Sequence, residues 1–364
     1  MERMRVLFAF HTRRASGAEI VMKRALAVLV RRGLEPYVCA PHGEVIDVFS
    51  DVARGSLAAD GIYPPRPGDV VRLVKFTRGR GIDVLWANSP KAAPIVALAA
   101  RFSGRPSVWA VHDIVKPSAK NRLFFRTMST AFAQVVAVSE ATRRRLVELG
   151  VSGKKIVVAR PGIDVDGWRA LARNGHRTDG LLERPAVLMV GAITRWKGQH
   201  ILLDAARALL GRGLHANFYL AGDIIDDSDI AYRGEILEAI SSPPLRDRVH
   251  YLGKRDDIPG LIAAADIVVH ASCEPDPFPT VITESLVLGK PVVASRIGGV
   301  PEQIEDGKTG LLFEPNDAMD LALKLSRLLV DGEFRADLGR RAIESSDRFR
   351  IEPFAESVFG AIRD

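Results

Sequence analysis

The stretch Ala271–Pro301, ASCEPDPFPTVITESLVLGKPVVASRIGGVP, decides how this chain is to be understood. It follows Ile267-Val268-Val269-His270, a run suited to a parallel-sheet strand covered on both faces. Pro275, Pro277 and Pro279 forbid continued strand and early helix alike, so the spacing predicts a helix starting near Thr280. The amides of Thr280, Val281 and Ile282 then lack intrahelical partners and carry the positive end of the helix dipole, a combination that suits a diphosphate. Glu284 lies one turn in, where a carboxylate can accept both hydroxyls of a ribose, as acidic residues do in other nucleotide sites. The same residues also fit a proline-broken surface loop whose glutamate merely favours a helix N-terminus.

Outward from this stretch, short β-rich apolar runs alternate with helical patterns, which predicts parallel sheets with crossover helices. In the first half strands are expected at 6–10, 37–40, 84–87, 107–111, 135–138 and 156–159. In the second they are expected at 186–190, 217–221, 249–252, 267–270, 292–294 and 310–313. The helix after the first strand should end on Gly33 and place Ile20, Ala27 and Val28 on one face. Helices are expected at 321–329, 334–346 and 354–362. With 364 residues the chain exceeds what one core usually serves, about 250–300 residues. The polar segment 171–185, LARNGHRTDGLLERP, reads as a linker, giving domains 1–170 and 186–345 and a terminal segment 346–364. The fold class is therefore α/β, two Rossmann-like doubly wound sheets, with ligands expected beyond the carboxyl ends of the strands in the cleft between them.

Gly191-Ala192-Ile193-Thr194-Arg195-Trp196-Lys197-Gly198 follows the strand at 186–190 and precedes a helix near Gln199. It brings cations and helix amides together at a strand end, which suits phosphate, although solvated loop cations would look the same. His112 ends the strand at 107–111, and a neutral imidazole there can exchange hydrogen bonds with a sugar hydroxyl or be satisfied by backbone or Asp113. Ser16-Gly17-Ala18-Glu19 opens the first helix, with amides at Gly17 and Ala18 available to a ligand; Ser16 and Glu19 also form a capping-box pattern. No G-x-G-x-x-G follows the first strand, which disfavours a dehydrogenase. His11, His42 and His270 have no partner pattern and are read as structural.

The sequence resembles the family-4 retaining glycosyltransferases of GT-B architecture along nearly its whole length. The matches, in the family's order, are SGAE from Ser16, VWAVHD containing His112, AVSEATRRRL from Ala137, ARPGID ending at Asp164, VGAITRWKG from Val190 and DPFPTVITES ending at Ser285. The resemblance implies that Asp276 and Glu284, with seven residues between them, line a donor pocket, that Lys197 helps clamp a diphosphate, and that His112 approaches the transferred sugar. Asp276 stands where the family usually has glutamate, with Glu274 two residues earlier as an alternative. Ala192 stands where arginine is common, so either Arg195 supplies the second cation from a different point on the loop or the site is weakened. The resemblance also implies a hexosyltransferase acting by front-face transfer without a catalytic metal or other cofactor, the nucleotide sugar being a co-substrate. A UDP-sugar is favoured, with GDP- or ADP-sugars as alternatives. It further implies that the last helix crosses back onto the first domain. A non-catalytic nucleotide-sugar-binding subunit and a nucleotide-sugar epimerase are the rival readings.

Composition sets the remaining bounds. The net charge of +7 conceals an asymmetry, with 27 Lys and Arg against 13 Asp and Glu in residues 1–164, a balance of +14. A basic half can meet an anionic membrane or a lipid-linked or polysaccharide acceptor, and Lys120–Arg126 adds Leu123, Phe124 and Phe125 beside cations as an insertion segment, unless these aromatics belong to the core of the first domain, as apolar residues on helices usually do. Scattered cations without interleaved aromatics disfavour nucleic acid. Two cysteines, no Cys/His cluster, no leader pattern and no long apolar run point to a cytoplasmic protein, peripheral to the inner membrane face at most.

Overall fold

The computed structural model describes residues 3–173 and 180–363. The chain forms two compact units, Met1–Gly162 with Ile351–Asp364, and Ile163–Arg350. The first holds a seven-stranded sheet of β1 (Met4–Ala9), β2 (Leu34–Ala40), β3 (Gly55–Ala58), β4 (Val84–Ala87), β5 (Ser107–Val111), β6 (Gln134–Ala137) and β7 (Ile156–Val158). The order is β3-β2-β1-β4-β5-β6-β7, and every pairing is parallel. Residues along β1 alternate between two cores: Leu7 and Ala9 face one, Val6 and Phe8 the other. A strand buried on both faces has no polar side to show, which is why these strands read as unbroken apolar runs.

The second unit holds β8 (Ala186–Val190), β9 (Asn217–Ala221), β10 (Val249–Gly253), β11 (Ile267–His270), β12 (Val292–Ser295) and β13 (Gly310–Phe313), all parallel, in the order β10-β9-β8-β11-β12-β13. In each sheet the strand order reverses direction once, between β1 and β4 and between β8 and β11. At such a point the loops on neighbouring strands leave toward opposite faces and open a crevice at their carboxyl ends.

Several expectations need correction. β3 was absent from the sequence reading: it is an edge strand of Gly, Ser, Leu and Ala, paired on one side only and half-buried, so it lacks the apolar signal. Helix Gly17–Val30 buries Val21, Met22, Ala25, Leu26 and Leu29, whereas Ile20, Ala27 and Val28 lie at the margin of that stripe. The boundary expected at residue 170 falls within helix Val165–Arg173, which Arg169 ties to the second unit by hydrogen bonds to the Val287 carbonyl (3.1 Å) and Ser346 Oγ (2.9 Å). Of the expected linker, 171–173 complete that helix and 174–179 lie outside the described residues. Helix Ile351–Arg363 places Ile351, Phe354, Ala355 and Val358 in the core shared with β1 and helix Gly17–Val30.

The insertion segment is also corrected. Phe125 is buried and stacks on Trp109 at 5.1 Å between ring centroids, and Phe124 meets the same indole edge-on at 6.1 Å. Of the three apolar residues only Leu123, 66% exposed, faces outward, because helix Ala119–Met128 uses its aromatic side to close the core. Among the described residues no helix is long and apolar enough to cross a membrane.

Candidate functional site

In the second unit the reversal between β8 and β11 brings two loops together. The loop after β8 makes a single tight turn over Arg195–Lys197 and reaches Gly198, whose φ is +78°. A Cβ on Gly198 would stand 2.0 Å from the Ala271 carbonyl oxygen, so only glycine lets this loop lie against the end of β11. The Cys273 amide donates to the Trp196 carbonyl at 2.8 Å and ties the two loops. With its backbone so fixed, Lys197 Nζ reaches Asp276 Oδ2 at 2.6 Å. Asp276 is pinned in turn by Gly298 and Gly299: the Gly299 amide donates to its carbonyl at 2.8 Å, and a Cβ on Gly298 (φ +61°) would meet that oxygen at 2.2 Å.

His270, at the end of β11, is buried with Asp276 and completes a trio, its Nε2 3.1 Å from Asp276 Oδ2. Burial would raise the Asp276 pKa, but the Lys197 ammonium and the hydrogen bond from His270 hold the carboxyl well below the usual carboxylate range. Burial lowers the His270 pKa against the opposing pull of Asp276, so at neutral pH the imidazole is neutral. A carboxylate only accepts, so His270 donates Nε2–H to Asp276. His270 was read from sequence as structural and is the site residue that reading missed. A histidine six residues before an acidic residue, on a strand that then turns back, was the available signal.

The neighbouring expectations divide. Asp276 is buried and bonded to Lys197, while Glu274 is exposed, so the shorter acidic residue occupies the inner position. Helix Thr280–Val287 starts where the prolines place it, and Gln303 Nε2 locks its start by donating to the Pro279 carbonyl (3.0 Å) and Thr283 Oγ1 (2.8 Å). The Ile282 amide was expected to be free. It donates instead to the Pro279 carbonyl at 3.3 Å in a tightened first turn, which leaves Thr280 and Val281 ahead of it. Glu284 lies half-buried on this helix. Gly191 follows β8, and a Cβ there would touch Lys197 Cδ at 4.0 Å, an ordinary van der Waals contact. Arg195 is paired with Glu235, and its guanidinium lies over the Tyr232 ring at 4.8 Å.

In the first unit, Glu19 Oε2 accepts from the Ser16 amide (2.9 Å) and Ser16 Oγ (2.6 Å), so Ser16 and Glu19 close the cap ahead of Gly17 and Ala18. His112 follows β5 and is hydrogen-bonded at 3.2 Å to Asn88 Oδ1, beyond β4. Desolvation lowers its pKa to about 4, against a weaker opposing effect of Glu19. Among the described residues no group of three or more His, Cys, Asp or Glu is arranged to hold a metal ion.

Both units are similar to known proteins. The family described as glycosyl transferases group 1 matches residues 176–345, and Glycosyltransferase Family 4 matches residues 15–166. The chain belongs to the family-4 glycosyltransferases, and its two parallel-sheet units have the GT-B fold. It is 34% identical over 204 residues to the alpha-D-kanosaminyltransferase of Streptomyces kanamyceticus, covering 55% of this chain and 50% of that one. It is 34% identical over 214 residues to the D-inositol 3-phosphate glycosyltransferase of Corynebacterium jeikeium, covering 56% and 50%. These matches thus span about half the length of those relatives. The Anabaena protein Alr3699/HepE, solved in complex with UDP-glucose, superposes with a TM-score of 0.86 at 26% identity over 99% of this chain and 100% of that one.

Proposed function

We propose that this chain is a retaining hexosyltransferase that takes its sugar from a nucleoside diphosphate donor, with UDP as the favoured nucleotide. The observation that carries the reading is the contact of Lys197 with Asp276 at the strand-order reversal, with Glu284 on the helix that follows. Lys197 meets the negative charge that grows on the departing diphosphate, so its contribution is larger in the transition state than in the ground state. Thr280 and Val281 add helix-terminal amides, Gly191 brings bare backbone against the Lys197 side chain, and Glu284 accepts the ribose hydroxyls. Asp276, ionised and held by His270, faces the sugar once Lys197 turns to phosphate. The acceptor belongs to the first unit, with His112 and the turn at Ser16, Gly17 and Ala18. A donor phosphate oxygen takes the acceptor proton on the face from which the diphosphate leaves, so no protein nucleophile or metal is required.

HepE, solved with UDP and with UDP-glucose, supports a UDP-sugar donor. The name of the Corynebacterium relative supports a small phosphorylated acceptor over a lipid-linked one, as does the packing of Phe124 and Phe125 against Trp109. The test is a thermal-shift screen of UDP-, GDP- and ADP-sugars, in which bound donor raises the apparent stability with the logarithm of its excess over Kd. Donor turnover is then followed by NMR with a chelator present, reading the anomeric configuration of the product. Slow release of free sugar without acceptor separates a transferase from a binding subunit. No shift with any nucleotide sugar sinks the reading.

A further inference from the structure

Asn88, just beyond β4, is 2% exposed. Its Oδ1 accepts from Trp86 Nε1 at 3.1 Å. An indole N–H only donates, so this bond fixes which end of the Asn88 amide is oxygen. The same Oδ1 lies 3.2 Å from His112 Nε2, and two acceptors cannot share a hydrogen bond, so Nε2 carries the proton. In a neutral imidazole the lone pair then sits on Nδ1. The alternative amide orientation would set Nδ2 against the indole N–H, donor against donor, and that clash decides the orientation although Nδ2 has no hydrogen-bond partner as it stands. The neighbouring residue differs. Ser89 Oγ accepts from the Ala92 amide (3.1 Å) and lies 2.8 Å from His11 Nδ1, but a hydroxyl can accept twice, so no tautomer of His11 is fixed there.

We infer that Asn88, oriented by Trp86, is a positioning residue that holds His112 in the Nε2–H tautomer, so that His112 meets its substrate through Nδ1 as a hydrogen-bond acceptor. The tautomer follows from the contacts within the first unit alone, while the clause about substrate rests on the acceptor role proposed above for His112. The substrate partner of Nδ1 must then be a donor, which a sugar or polyol hydroxyl supplies and a phosphate oxygen or carboxylate does not. Burial keeps the ring neutral near pH 7, and Glu19 is the charged group that acts on it.

The test is 15N NMR of the full chain labelled at histidine, with the His112 signals assigned from their loss in His112→Asn. The expected wild-type spectrum at pH 7 has Nε2 protonated and Nδ1 unprotonated, and Asn88→Ala loses that single-tautomer pattern. Asn88→Asp restores it, since a carboxylate accepts from both Trp86 and His112, and moves the His112 titration upward because the new negative charge favours imidazolium. Transfer measured alongside should fall in Asn88→Ala with the donor KM unchanged, and recover in Asn88→Asp. A wild-type Nδ1–H tautomer, or an unchanged spectrum in Asn88→Ala, overturns the inference; the wild-type spectrum decides even if the variants fold poorly. The expected tautomer with transfer indifferent to His112→Asn would refute the acceptor role and leave the positioning by Asn88 standing.

Discussion

Replacing Lys197 with methionine should destabilise the second unit more than replacing its partner does. The Lys197 side chain is 19% exposed and Asp276 7%, so the lysine has a route to water that the carboxylate lacks. Lys197→Met leaves a buried carboxylate with His270 as its remaining close partner. Removing one member of a buried pair costs about 3–5 kcal/mol, and the retained His270 bond argues for about 3. Asp276→Asn leaves an ammonium that can turn outward and an amide oxygen that still accepts from His270, so its cost should be nearer 1 kcal/mol, the size of one net hydrogen bond. For a unit of this size about 1 kcal/mol corresponds to roughly 2–4 °C, so Lys197→Met should lower the transition by roughly 6–12 °C. The sign with pH follows from the depressed Asp276 pKa. Its stabilisation is complete above the unfolded value, near 3.9, and is lost as pH falls through the folded value, so the gap between wild type and Lys197→Met should close on acidification. Calorimetry of both single variants and the double variant between pH 7 and pH 3 reads this out. The reasoning fails if Lys197→Met unfolds within 1 °C of wild type at pH 7, or if Asp276→Asn proves the costlier change.

Glu284→Ala should keep the melting temperature and weaken UDP binding by roughly 10- to 150-fold, the equivalent of hydrogen bonds to a charged group at about 1.5–3 kcal/mol; unchanged affinity by titration calorimetry would remove Glu284 from the site. Gly298→Ala should abolish donor binding and destabilise the second unit, because its Cβ has no space beside the Asp276 backbone, and a stable variant that binds UDP normally would contradict this. Glu235→Ala frees Arg195 from an exposed pair, which at about 0.2–1 kcal/mol limits the gain in UDP affinity to roughly fivefold, while Arg195→Ala should lose affinity. No change in either variant would dismiss Arg195 as the second cation. The lowered His112 pKa predicts that first-unit stability falls as pH drops from about 6.5 toward about 4, since the unfolded chain takes the proton first; His112→Asn should flatten that slope in an acid titration of unfolding.

The fold was legible because strands buried on both faces must be apolar throughout, and because proline and glycine mark the ends. The twelve strands expected from sequence all occur, and helix Thr280–Val287 begins at the residue the three prolines leave open. What escaped was decided by neighbours. β3 exists because β2 offers it a free edge, with Arg54 donating to the Pro36 carbonyl at its start, and nothing in Gly55–Ala58 announces it. The Phe124-Phe125 pair looks alike in sequence whether it faces lipid or Trp109, and only the rotation of its helix distinguishes the two.

The candidate site was legible in its charged residues and illegible in the neutral ones that set their states. Lys197, Asp276 and Glu284 stand out because cations and carboxylates at strand and helix ends are chemically conspicuous. Their convergence depends on β8 and β11 being adjacent although 76 residues lie between Val190, which ends β8, and Ile267, which begins β11, a pairing that only the reversal in strand order produces. His270, Asn88 and Trp86 carry no charge at neutral pH, yet one keeps Asp276 ionised beside Lys197 and the other two decide which nitrogen of His112 holds a proton. Each of these neutral partners is buried in its own unit, Trp86 on β4, Asn88 just beyond it and His270 at the end of β11. The chemistry of the site therefore depends on residues whose sequence signal is that of ordinary core, and variants at Asn88 and His270 should change protonation before they change the fold.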